Sequence, residues 1–442
     1  MKSLKIKLII MNFLEFAVWG SYLTSLGNFL ARNGLQGDIG WFYAVQGIVS
    51  LAMPSIIGII ADRWVQAQRM LSLCHLIAGL FMGLAGLYCM MAGTIELAPL
   101  FTLYTISVAF YMPTIGLCNS VAFNALTTHG MDTVKDFPPI RIFGTIGFIC
   151  AMLFVNFMKI DGVAFQASYV QLFTSAVFSF ILMFYALTMP KCPTSSAPKG
   201  GSISDTLGLT AFKLFKEKKM AVFFIFSMLL GVSLQITNGY ANPFITSFEH
   251  IAQYADAWAA RNANALISLS QISEALCILL IPYCLKHFGI KGVMLMSMFA
   301  WVLRFGFFGL GNPAGGVWMF VVSCIVYGIA FDFFNVSGGL YVDRETSPTI
   351  RSSAQGLFMI MTNGLGATIG TLSAMAVVNH FVDTNATPAE QLEGWRTCWY
   401  IFAGYALVVA VLFLFIFKDK SKADFNEAEL PKSTSIDPVD IV

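Results

Sequence analysis

Two stretches decide the fold: Gln271-Ile272-Ser273-Glu274, inside the apolar run 263–285, and Phe331-Asp332-Phe333-Phe334-Asn335, inside the run 315–341. Wound as helix, a run of about 20 residues spans the ~30 Å hydrocarbon layer of a bilayer. Both carboxylates therefore fall at membrane depth. An ionised side chain there costs a few kcal/mol and is kept only where it meets a wet cavity or a partner. Acids placed in this way are natural proton carriers.

Composition agrees. Of 442 residues, 57% are hydrophobic, 14% aromatic and only 11% charged, and the mean hydropathy is +0.73. A water-soluble globule of this composition would expose far more apolar surface than water tolerates. The net charge of +2 gives no reason to expect nucleic acid as a partner. The nine cysteines form no C-x-x-C pair and mostly sit in apolar runs, so neither a disulfide framework nor a metal site is expected.

Twelve apolar segments are predicted to span: 6–31, 38–61, 70–93, 97–122, 138–159, 165–189, 220–247, 263–285, 291–311, 315–341, 350–379 and 394–417. Lys2, Lys5 and Lys7 before the first run imitate a signal peptide, but the run is too long and lacks a small-residue cleavage site, so it is read as the first helix. The expected organisation is all-α: a six-helix bundle over 1–190, a cytoplasmic linker over 191–219, a second six-helix bundle over 220–417 and a disordered cytoplasmic tail over 418–442. The linker joins a Pro/Gly/Ser-rich part to a basic amphipathic piece carrying Lys213, Lys216, Lys218 and Lys219. With both termini cytoplasmic, Arg63, Arg69, Lys135, Lys286, Lys291, Arg344, Arg351, Lys418, Lys420 and Lys422 fall inside. Only Arg32, Lys159, Arg261 and Arg396 fall outside, as the positive-inside rule requires.

Gly58-Ile59-Ile60-Ala61-Asp62-Arg63, with Arg69 beyond it, resembles the signature loop of the major facilitator superfamily, although that signature's later glycine is absent. Longer strings narrow the likeness: Trp19-Gly20-Ser21, Tyr111-Met112-Pro113-Thr114, the run Asp136 to Phe148, Leu234-Gln235-Ile236-Thr237-Asn238 and the two opening stretches. Across about residues 4–417 they resemble bacterial nucleoside permeases of the NupG type, the nucleoside/proton symporter family. The resemblance implies the facilitator fold, a bacterial inner-membrane location and nucleoside import coupled to protons.

Spacing shows what the residues offer. Gln235 and Asn238 are three apart, as are Gln271 and Glu274, so each pair shares a helix face. Amides and a carboxyl grouped there either bond neighbouring helices, each worth on the order of 1 kcal/mol, or meet the donors and acceptors of a base and ribose. Arg141, Thr145 and Phe148 also share a face, with Arg141 alternatively an interfacial arginine snorkelling to lipid phosphate. Tyr327 and Phe331, four apart, form either a wall for stacking a base or ordinary packing; Phe333 and Phe334 read as packing. The resemblance places Arg141, Thr145, Phe148, Gln235, Asn238, Gln271 and Glu274 around the nucleoside and favours Tyr327 and Phe331 as contacts.

Asp332 is the expected proton carrier and Glu274 the next, since burial favours a neutral carboxyl. The bland alternative is an ion pair with Arg304 or Arg141. Glu15 stands where the family's pattern carries a glutamine; it either adds a second titratable site or is a solvated acid near the cytoplasmic mouth. His75, after Cys74, is read as a packed histidine with one hydrogen bond. Asn119, Asn124 and Asn363 are read as helix glue or turn residues. With no nucleotide-binding loop, the driving force is the proton gradient. The expected protein is not an enzyme and carries no cofactor or metal. It is a monomeric carrier of purine and pyrimidine nucleosides that works by alternating access. Two readings compete: a proton-coupled importer of sugars or another polar small molecule, and a non-transporting membrane receptor or enzyme.

Overall fold

A computed structural model describes residues 2–193, 209–346 and 350–419. Residues 194–208 of the expected linker and 420–442 of the expected tail lie outside the described residues. Nearly everything described is helix, because lipid offers no partner to a free peptide N–H or C=O and a helix satisfies its own.

The first half contains α1 (Lys2–Gly20), α2 (Leu26–Arg32), α3 (Ile39–Ser50), α4 (Met53–Arg63), α5 (Ala67–Met91), α6 (Leu97–Thr128), α7 (Thr133–Phe157) and α8 (Val170–Ala186). α3 and α4 are a helix pair bent by 41°, with a proline in the first turn of α4. Between α7 and α8, strands β1 (Lys159–Ile160) and β2 (Val163–Ala164) form a short antiparallel hairpin. Its turn is Asp161-Gly162, both at positive φ (51° and 79°), the pairing a tight two-residue hairpin favours.

The second half contains α9 (Lys218–Leu234), α10 (Ile236–Ser247), α11 (Trp258–Arg261), α12 (Ala263–Cys277), α13 (Ile281–Leu310), α14 (Val317–Glu345), α15 (Arg351–Met359), α16 (Ala367–Phe381) and α17 (Pro388–Ile416). The continuous helix of α13 is interrupted at Gly289, whose φ of 68° and ψ of 175° break the path. A π-helical stretch, Ile360–Gly366, connects α15 and α16 through Thr362-Asn363-Gly364. The basic piece of the linker is a 3-10 helix, Leu209–Lys216, with Leu214 buried. Eight helical stretches, or nine if the bent pair is one span, have the length and apolarity of a membrane crossing among the described residues.

The chain forms two compact units. One contains the described residues before 30 and those from 45 to 193; the other contains 30–44 and those from 209 on. Within the second unit, Arg32 pairs with Glu249 at 2.7 Å and the Asn379 amide donates to the Gly37 carbonyl at 2.8 Å, tying 30–44 to α16 and to the turn after α10.

In the first unit α1 and α7 touch backbone to backbone through glycines. A Cβ on Gly147 would lie 2.1 Å from the Phe13 carbonyl oxygen, and one on Gly20 would lie 2.4 Å from that of Phe148. Neither backbone atom can yield, so Gly147→Ala forces the helices apart at a cost of about 1–3 kcal/mol. The expected result is a lower melting temperature in detergent, with Gly116→Ala, whose Cβ meets nothing within 4 Å, as an unaffected control.

Candidate functional site

In the second unit α12 and α14 pack closely because position 328 is glycine; a Cβ there would stand 2.5 Å from the Ser273 carbonyl oxygen. The Ser273 hydroxyl donates to the Ile325 carbonyl across the same seam. That approach places Gln271 and Glu274 of α12 within electrostatic reach of Tyr327, and Glu274 within reach of Asp332 as well. One turn along α14, the Phe331 ring stacks on Tyr327, with centroids 5.6 Å apart and planes 22° apart. Gln271, Glu274, Tyr327, Phe331 and Asp332 thus form one cluster. Gln235 and Asn238 form another at the α9–α10 break, where the Asn238 amide donates to Gln235 Oε1 at 2.8 Å.

Asp332 is buried, and its Oδ2 has no hydrogen-bond partner. Arg304 is buried too, but its guanidinium is engaged elsewhere. Nη1 donates to Ser270 Oγ at 3.2 Å and the Ser323 carbonyl at 2.9 Å, and Nη2 donates to Thr237 Oγ1 at 3.1 Å. It also sits 4.3 Å over the Tyr327 ring. The expected alternative of an Arg304–Asp332 ion pair is not what this geometry holds. Arg304 instead backs the aromatic wall by a cation–π contact.

In the first unit Arg141, Thr145 and Phe148 share a face of α7, as their spacing requires. Arg141 lies 4.0 Å over the Phe16 ring, and Phe148 meets Trp19 edge-on at 6.1 Å. The guanidinium is therefore held against α1.

Sequence reading missed a polar network around Glu15. This residue is no solvated acid: it is wholly buried, as is His75. His75 makes two side-chain hydrogen bonds rather than one, to Glu15 and to Ser179, each at 2.9 Å. The Cys74-His75 pair and the acid in an apolar first helix were the available signals; only the fold shows that they meet. Asn124 bonds the Ser120 carbonyl one turn back, in keeping with helix glue. Among the described residues no group of three or more His, Cys, Asp or Glu is placed to hold a metal ion.

Acids buried beside amides and stacked rings, on helices that cross a bilayer, are the equipment of a membrane transporter. The family model for Nucleoside H+ symporter matches residues 1–422, and the chain belongs to that family of carriers. It is 43% identical to the xanthosine permease of Escherichia coli over 419 residues, 94% of this chain and 96% of that one. It is also 43% identical to the nucleoside permease NupG of Escherichia coli over 421 residues, 95% and 97% of the two chains. A crystal structure of a mutant of the nucleoside transporter NupG superimposes with a TM-score of 0.87, covering 94% of this chain and all of that one.

The stacked wall makes a separable prediction. Tyr327→Ala removes the ring and is expected to weaken uridine binding by about 5- to 150-fold, the equivalent of 1–3 kcal/mol of base stacking. Tyr327→Phe keeps the ring, loses only the hydroxyl and is expected to fall between the two. Equilibrium binding of radiolabelled uridine to the purified protein checks both.

Proposed function

We propose that this chain imports purine and pyrimidine nucleosides together with protons. The cluster of Glu274 and Asp332 beside the Arg304-backed stack of Tyr327 and Phe331 carries the reading. Stacked rings take a base, and the amides of Gln235, Asn238 and Gln271 bond its edges or the ribose hydroxyls. On the first unit, Arg141, Thr145 and Phe148 are the proposed nucleoside contacts. When both are ionised, two carboxylates this close in a water-poor setting repel, and binding one proton removes that repulsion. The unpartnered Oδ2 of Asp332 makes it the proton acceptor, with Glu274 sharing the proton and touching substrate.

Twelve crossings follow if the long helical stretch 263–310 is divided at Gly289, the paired helices α1–α2, α3–α4, α9–α10 and α15–α16 each count as one span, and α8 spans despite its shortness. This is the major facilitator arrangement of two six-helix bundles, 1–190 and 220–417, with linker and termini cytoplasmic, working as a monomer in the bacterial inner membrane. Alternating access then carries proton and nucleoside inward, and release of both resets the carrier.

Uptake of radiolabelled uridine and adenosine into proteoliposomes under an imposed pH gradient tests the reading. The native protein is expected to accumulate both, and Asp332→Asn to bind nucleoside yet lose gradient-driven accumulation. Absence of accumulation of either nucleoside by the native protein refutes the substrate and redirects the search to sugars. A fully coupled Asp332→Asn moves the proton to Glu274.

A further inference from the structure

A second buried acid, distant in sequence from Asp332, belongs to the first unit. Glu15 on α1 and His75 on α5 are each 0% exposed. Glu15 Oε2 lies 2.9 Å from His75 Nε2, and Thr114 Oγ1 on α6 donates to Glu15 Oε1 at 2.6 Å. His75 Nδ1 lies 2.9 Å from the hydroxyl of Ser179 on α8, and that hydroxyl also lies 3.1 Å from the His75 carbonyl oxygen. That hydroxyl has one hydrogen, so it either accepts from Nδ1–H or donates to Nδ1. Where it accepts, the contact between Nε2 and Oε2 holds one proton of its own, residing on the ring or on the carboxyl. In either case the pair is neutral overall.

Remove that proton and one negative charge is left buried. The titratable groups facing it are the Cys74 thiol on α5 and Tyr111 and Cys118 on α6. The charged group in the neighbourhood is Arg141 on α7, stacked on Phe16 and in electrostatic reach of Tyr111 and Cys118. A buried charge without a paired countercharge costs several kcal/mol, so the closed packing around Glu15 depends on the proton.

We propose that Glu15 and His75 form a second proton-binding site of the carrier, and that its proton is required for α1 to seat against α5 and α6. The proposal rests on the reading of the chain as a proton-coupled carrier. The same contacts link the site to the first unit's substrate residues. Phe148 meets Trp19, Trp19 meets Tyr111 and Tyr111 meets His75, with ring centroids 6.1, 6.2 and 6.1 Å apart. The Tyr111 hydroxyl also donates to the Glu15 carbonyl at 2.9 Å. Loading the pair therefore holds Phe16 and Trp19 where they fix Arg141 and Phe148.

Glu15→Gln tests this with little disturbance, since the amide keeps an acceptor for Thr114 and a donor for His75 while abolishing the charge. In proteoliposomes of the full-length protein, uridine gradients balanced against imposed pH gradients give the proton-to-nucleoside ratio. Glu15→Gln is expected to accumulate uridine with a ratio lower by about one proton than the native protein; an unchanged ratio overturns the proposal. A second readout needs no substrate. In protein labelled with ¹⁵N-histidine, the His75 signals, identified by their loss in His75→Gln, are expected to respond to pH in the native protein and to lose that response in Glu15→Gln. Signals of His75 that do not respond to pH in the native protein overturn the proposal even if Glu15→Gln proves inactive. A native protein that moves neither uridine nor adenosine instead refutes the proposed function, and the histidine signals still decide the proton site.

Discussion

Burial of charge where water is scarce is the constraint on which the rest of this structure depends. A bilayer tolerates a polar group only if something satisfies it, and the chain meets that demand in different ways. Backbone groups close on themselves as helix. Arg304 is met by serine and threonine hydroxyls, a carbonyl and the faces of Tyr327 and Phe308. Glu15 is met by a histidine and a threonine. Asp332 Oδ2 is not met at all. Arg304 Nε is likewise without a hydrogen-bond partner, and an unmet buried group is the one that gains most from a proton or a ligand.

The seams between helices follow a second rule. Where polar groups must meet, a glycine lets two backbones approach: Gly328 between α12 and α14, and Gly20 and Gly147 between α1 and α7. In lipid, helices gain little from hydrophobic burial against each other, so close contact and interhelical hydrogen bonds carry the association. In each unit one such seam lies beside residues proposed to hold substrate. The same contacts that set packing therefore set the positions of Gln271, Tyr327, Arg141 and Phe148.

Much of this was legible from the chain. Hydropathy located the helices because a span needs an apolar length, and each of the expected segments contains helix. Spacing also held locally: Gln235 and Asn238 touch, and Tyr327 stacks on Phe331, because residues three and four apart are neighbours on a helix whatever its surroundings. Breaks within spans were less visible. The 41° bend before α4, the left-handed Gly289 and the π-helical turn at 360–366 depend on what each helix packs against, which hydropathy does not register.

The sequence by itself determined the class of protein, the helical segments, the family and the list of polar residues that burial makes expensive. It did so because apolar length and local periodicity are properties of consecutive residues. Only the tertiary structure decided who partners whom. Glu15 and His75 are 60 residues apart, and nothing local says that the histidine in α5 meets the acid in α1. Likewise Glu274 and Asp332 lie in the same half of the chain as Arg304, yet hydroxyls, a carbonyl and rings took it. Whether a buried acid is satisfied or left open is settled by the packing of distant helices, and here that packing separates an acid bonded to a histidine and a threonine in one unit from an acid in the other with an oxygen to spare.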